Sequence, residues 1–197
     1  YRALDPALVE RFAKRELLYI RNFGQGLDLP WEQAFGSDDP SVVERICRAR
    51  GIDCEWRDSE DGERLLRTRE RCQAVARHPR TGDRVWFNQA NLFHLSSLDE
   101  DMQEALIDSV GLENVPRNVY YGDGEPLEAD ALAEILQTAL ENEEHMVVAA
   151  RWVDDLDLIE ALGRSIGFKT YSVRGSVSRR QSDANIRSFR EAKEPSL

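Results

Sequence analysis

Residues 75–94, VARHPRTGDRVWFNQANLFH, constrain this chain more than any other stretch. His78-Pro79-Arg80-Thr81-Gly82-Asp83 has the makings of a tight turn, because Pro79 fixes one backbone dihedral and Gly82 supplies a positive-φ corner. Before the turn, residues 72–77 alternate small apolar and polar side chains. After it, Val85-Trp86-Phe87 is a β-branched and aromatic run. The pattern predicts a hairpin with a longer loop. Beyond it, Asn88, Gln89, Asn91 and His94 are interleaved with Phe87, Leu92 and Phe93. A solvent strand does not need that many aromatics, and a core strand does not need that many amides. Such mixing suits the wall of a pocket.

The flanking chain reads as mixed helix and strand. Asp5-Pro6 is a helix start, with Asp as cap and Pro at the first helical position, and Leu8, Val9 and Phe12 share one face up to about Arg15. Residues 17–20 are a short strand signal, and 22–29, with two glycines, a loop. A helix is expected over 40–50, with Val42, Val43, Ile46 and Cys47 inward and Gly51 ending it. Residues 52–56 are a strand candidate and 58–63 an acidic turn. Residues 65–71 alternate Arg67, Arg69 and Arg71 against Leu66, Thr68 and Glu70, which predicts an edge or half-exposed strand whose arginines either face an anionic ligand or stand solvated and screened by nearby acids. Ser97-Leu98-Asp99-Glu100 reads as a capping box opening a helix to about Val110, with Met102, Leu106 and Val110 on one stripe. Residues 119–124 are a strand running into a turn.

The character then changes. A helix is expected from Glu128 through Leu132, Ile135, Leu136 and Leu140. Residues 146–150 are a continuous apolar run, the mark of a strand buried on both faces. Asp154-Asp155 starts another helix, 168–173 is a second strand, and Ser178 caps a last helix carrying Ile186 and Phe189. This α-β-α-β-α order is a parallel-sheet rhythm. Charge shifts too: ten acids face one base between Glu128 and Glu160, whereas eight bases face two acids between Arg164 and Lys193.

Composition excludes some functions. The 197 residues carry a net charge of −11, which argues against a general polyanion binder, since phosphate contacts need clustered Lys and Arg. Arg174, Arg179 and Arg180 in the basic end are the only nucleic-acid-contact candidates. Cys47, Cys54 and Cys72 lack a metal-ligand spacing and fit small buried hydrophobes in a reducing cytoplasm. No apolar run is long enough to span a bilayer, so no membrane partner and a cytoplasmic location are expected.

HPRTGDRVWFNQANLFHLSSLD resembles the central segment of the taurine-dioxygenase-like (TauD/TfdA) family of Fe(II)/2-oxoglutarate oxygenases. Members carry a similar His-Pro-x-Thr-Gly turn, a hydrophobic strand ending in Asn, then an aromatic-x-x-His. ELLYIRNFG at 16–24, LPWEQAFG at 29–36 and NVPRNVYYGDG at 114–124 agree. The resemblance covers about residues 1–127. It implies a partial jelly-roll (double-stranded β-helix), Fe(II) and 2-oxoglutarate as cofactors, and hydroxylation of a small-molecule substrate, with Asn88, Gln89, Asn91 and His94 as the substrate-side candidates. Residues 128–197 resemble the second RecA-like lobe of superfamily-two helicases, through Val147-Val148, Leu158, Gly167, Arg174-Gly175, Ser178, Arg187 and Phe189-Arg190. The expected fold class is therefore α+β: a partial jelly-roll with helices, followed by an α/β parallel-sheet segment, with the join between Gly124 and His145.

The oxygenase family holds iron with two histidines and one carboxylate, the first pair being His-x-Asp or His-x-Glu. His78 is followed by Pro79-Arg80, His94 by Leu95-Ser96 and His145 by Met146-Val147, so none fits. The expectation is no catalytic and no metal-ligating residue in this chain, with the ligands outside both ends and the fragment inactive alone. His94 reads as a buried, hydrogen-bonded histidine. No Gly-x-x-x-x-Gly-Lys-Ser/Thr loop exists for ATP, and no Gly-x-Ser-x-Gly for a serine nucleophile. The alternatives are part of a nucleic-acid-dependent helicase-class ATPase and a non-catalytic composite interaction protein.

Overall fold

The computed structural model describes residues 4–24, 26–59 and 62–141, together with 160–161, 164, 167, 169–173 and 178–191. Helix α1 (Pro6–Arg15) starts as its sequence predicts: Asp5 Oδ1 accepts from the Ala7 amide at 2.8 Å, and Leu8, Val9 and Phe12 are buried. It ends at Glu16, whose φ of 60° turns the chain directly into strand β1 (Leu17–Phe23). The strand is longer than expected. Asn22 and Phe23 belong to it rather than to a loop, because they pair with Arg67 and Leu66. Helix α2 (Trp31–Phe35) follows, then α3 (Pro40–Arg50). Asp39 caps α3 through the Ser41 amide at 2.8 Å, and Gly51 closes it in the left-handed conformation.

Strands β2 (Asp53–Asp58) and β3 (Arg64–Cys72) form an antiparallel hairpin. With β1 and strand β6 (Arg117–Tyr121) they make a four-stranded sheet in the order β2-β3-β1-β6, every neighbour antiparallel. β3 is therefore an interior strand, not the edge its alternating arginines indicate. Strand pairing on both sides places Arg67 opposite Asn22 of β1, whose side-chain oxygen accepts from it. A separate two-stranded hairpin, β4 (Val75–Arg77) with β5 (Arg84–Trp86), matches the expectation.

Side chains alternate along β1, so Leu17, Tyr19, Arg21 and Phe23 share a sheet face. Two apolar clusters cover that face. One joins Leu8 and Phe12 of α1 with Leu17, Val119 and Tyr121, and the other joins Phe23, Leu66, Val43, Cys47 and Trp31. Arg21 lies between them in sequence order along the strand. Its guanidinium donates to Asp28 at 3.1 Å, and Arg117 donates to the other oxygen of Asp28 at 2.9 Å.

Helix α4 (Ala90–Phe93) occupies a stretch read from sequence as the continuation of a strand wall. Helix α5 (Glu100–Val110) is capped by Asp99, which accepts from the Met102 amide at 2.9 Å. Ser97 closes a short 3-10 turn instead of acting as the capping-box serine. Helix α6 (Ala129–Glu141) places Ala131, Leu132 and Ile135 in the same cluster as Phe12 and Leu17. The helix after residue 127 thus shares its core with the residues before it. Helix α7 (Arg179–Glu191) begins after Ser178, whose Oγ accepts from the Gln181 amide at 3.2 Å. The expected strand at 146–150 lies outside the described residues. Residues 169–173 are described and hold no named strand, and all strand pairs among the described residues are antiparallel, so none shows the expected parallel rhythm.

Candidate functional site

The hairpin turn is closed by backbone first. The His78 amide donates to Asp83 O at 2.8 Å, the Gly82 amide donates to His78 O at 2.9 Å, and Gly82 takes φ 75°. His78 Nδ1 adds a third tie, accepting from the Thr81 amide at 3.2 Å. The hairpin docks through Trp86, whose ring lies 5.2 Å from that of Phe12.

After β5 the chain bends into α4, and the four substrate-side candidates hold that bend. Asn88 Nδ2 donates to Ala74 O at 3.0 Å while its Oδ1 accepts from the Ala90 amide at 3.0 Å. The Gln89 amide donates to the Tyr19 hydroxyl at 2.9 Å. Tyr19 is anchored in turn by an edge contact to Phe93, with centroids 5.6 Å apart, and burial pushes its phenol well above the ordinary range. Asn91 Nδ2 donates to Leu132 O of α6 at 2.5 Å. His94 Nδ1 accepts from the Ser96 amide at 3.2 Å and lies 2.8 Å from Ser96 Oγ. Burial lowers its pKa from the ordinary histidine value, favouring the neutral ring that can accept. Phe87, 49% exposed, is the aromatic that this segment leaves facing outward. The Asn88 and Asn91 side chains therefore spend their hydrogen bonds on backbone groups of Ala74, Ala90 and Leu132. They fix the shape of the wall between β4–β5, β6 and α6.

The β3 arginines do not form the solvated row that alternation implies. Arg67 is 8% exposed and donates through Nε to Asn22 Oδ1 at 2.6 Å, and through Nη2 to Glu113 O at 2.5 Å and Asn114 Oδ1 at 3.0 Å. Arg69 pairs with Glu55 at 2.8 Å. Sequence reasoning singled out the arginines but not Asn22 or Asn114, since strand register and the loop before β6 bring these together across 45 and 47 positions. At the other end of the chain, Arg174 lies outside the described residues, and Arg179 and Arg180 are exposed in the first turn of α7.

Iron in this chemistry requires two histidines and a carboxylate on one face of the metal. Among the described residues no group of three or more His, Cys, Asp or Glu is placed to hold a metal ion. His78 is bound into the hairpin turn, His94 into the turn after α4, and His145 lies outside the described residues. The described residues do not fit an iron triad. Among them no helix is long and apolar enough to cross a membrane.

The family described as "Taurine catabolism dioxygenase TauD, TfdA family" matches residues 1–155, running past residue 127 and through the apolar run at 146–150. The chain is also similar to "Dapdiamide synthesis protein DdaC" of Enterobacter agglomerans, 36% identical over 137 residues, which cover 70% of this chain and 40% of the relative. The chain thus spans about two fifths of the length of the curated relative it matches. No solved structure matches it. These comparisons lend no support to the helicase resemblance of the last third. A hairpin turn, an Asn-Gln-Ala-Asn bend and a closing His in the predicted order, within a family match that covers most of the chain, lead to one conclusion: this chain belongs to the TauD/TfdA family of dioxygenases.

Proposed function

We propose that the chain forms the central part of an Fe(II)/2-oxoglutarate-dependent oxygenase that hydroxylates a small molecule, and that it does not assemble the iron centre by itself. The antiparallel sheet, clothed with helices on one face, serves as one wall of a jelly-roll. Residues 75–94 serve as the substrate-side segment, with Asn88, Gln89, Asn91 and His94 setting its shape. The substrate class follows the name of the relative, a protein of dapdiamide synthesis, and is a small biosynthetic molecule. The reading is carried by one observation: the family's most specific segment folds as a hairpin and helical bend tied into the core at Tyr19 and Leu132. When bound, iron and 2-oxoglutarate supply oxygen activation. The sequence has no His-x-Asp or His-x-Glu pair to begin their site.

Anaerobic titration of the chain with Fe(II) and 2-oxoglutarate tests the second half of the reading. The expected result is no metal-to-ligand charge-transfer band and no succinate release in air. A band that is abolished in His94→Ala would place a ligand at His94 and overturn it.

A further inference from the structure

We infer that the cleft between the end of β1 and the β2–β3 hairpin binds the oxyanion head group, carboxylate or phosphate, of a small ligand through Arg57 and Arg67. Nothing in this rests on the oxygenase reading. The cleft opens to solvent and is lined by Asn22, Gly24, Arg57, Leu65, Arg67 and Asn114 among others.

Its chemistry is an imbalance of charge. The three oxygens that Arg67 engages, on Asn22, Glu113 and Asn114, are all neutral amide or backbone oxygens. Glu55 is the cross-strand partner of Arg67, yet its two oxygens go elsewhere: Oε1 accepts from Arg57 Nε at 2.7 Å, and Oε2 pairs with Arg69 Nη1 at 2.8 Å. One carboxylate thus serves two flanking guanidiniums and leaves the central, most buried one without a paired anion among the described residues. The Glu55 carboxylate, and after it that of Glu113, attract Arg67 without forming an ion pair with it, and Glu63 reaches the rim at Gly24. Burial, then repulsion from Arg57 and Arg69, holds the Arg67 pKa below the ordinary value, as expected of a cation short of counter-charge.

Donors remain to meet an anion. Among the described residues Arg67 Nη1 has no hydrogen-bond partner, nor do the terminal nitrogens of Arg57. Two guanidinium groups facing one cleft are the arrangement that grips carboxylate or phosphate with charge-assisted bonds. Gly24 keeps that end of the cleft narrow in chain and free of side chain, since a Cβ there would collide with Leu65.

The test is calorimetric titration and thermal unfolding of the full chain with sodium phosphate and, separately, sodium acetate, against sodium chloride at matched ionic strength. Wild type is expected to bind and to be stabilised by at least one of the two beyond chloride; which one identifies phosphate or carboxylate as the head group. Arg57→Gln alters a part-exposed side chain and keeps the fold, and is expected to weaken binding roughly tenfold or more, the loss of one charge-assisted contact. Arg67→Lys, which keeps the charge but not the fork, is expected to weaken it as well. Should Arg67→Lys not fold, Arg57→Gln alone decides. Stabilisation no greater than chloride in wild type, or undiminished affinity in Arg57→Gln, overturns the inference.

Discussion

His94 couples the bend after α4 to pH. Its Nδ1 accepts from the Ser96 amide, which an imidazolium cannot allow. Burial places the folded pKa below the ordinary 6.5, so the unfolded chain binds the proton more readily. The stability that His94 contributes is then fully present above the unfolded value and is lost as pH falls from about 6.5 toward the lower folded value. In His94→Asn, Oδ1 takes over the acceptor role without titrating. Urea unfolding at pH 7 and at pH 5.5 is expected to show a smaller loss for His94→Asn than for wild type. Equal losses would show that His94 is not the group responsible. That His94 is a hydrogen-bonded, part-buried histidine was legible from its place among Leu92, Phe93 and Leu95. Its partner Ser96 was not read from the sequence, although it lies only two residues away. Asn91 was not, because its acceptor on Leu132 is 41 positions distant and depends on where α6 docks.

Elements with strong local signals emerge as the sequence implies: α1 and α3 from Asp-Pro caps, the β4–β5 hairpin from Pro-x-x-Gly, α6 from its apolar stripe. Elements decided by neighbours do not. β3 looks like an edge because its arginines alternate with Leu66, Thr68 and Glu70, and only pairing with both β1 and β2 makes it interior. Helix α5 shows the converse. Its stripe of Met102, Leu106 and Val110 implies a buried face, yet no residue of α5 is buried and Met102 is 54% exposed. With so little buried apolar surface, α5 opens at low free energy. Hydrogen exchange is expected to deuterate the α5 amides well before those of β1, which has strands on both sides. Protection of α5 equal to that of β1 would contradict the exposure seen here.

Across the whole molecule, two apolar clusters share one sheet face with the Arg21–Asp28–Arg117 group between them. Phe12 and Val43 are fully buried in different clusters. Phe12→Ala is expected to cost about 3–5 kcal/mol, and Val43→Ala somewhat less. Because the sites share no contacts, the double mutant should equal the sum of the singles within about 0.5 kcal/mol. Denaturant unfolding of the four proteins measures this, and a larger coupling would mean that the ion group transmits packing between clusters. Neither the split core nor the ion group was legible beforehand, since Asp28 lies in a loop and meets Arg117 across 89 positions.

The sheet also sets an order in time. β2 and β3 are joined by a short turn and form from local contacts, whereas β1 closes against β6 only when chain 108 residues apart, Arg15 and Asp123, is brought together. On a ribosome the first sheet strand emerges long before its outer partner exists. Until β6 arrives, β1 presents an open row of backbone amides and carbonyls, which makes the interval between the two strands the period when the nascent chain is most exposed to wrong pairing.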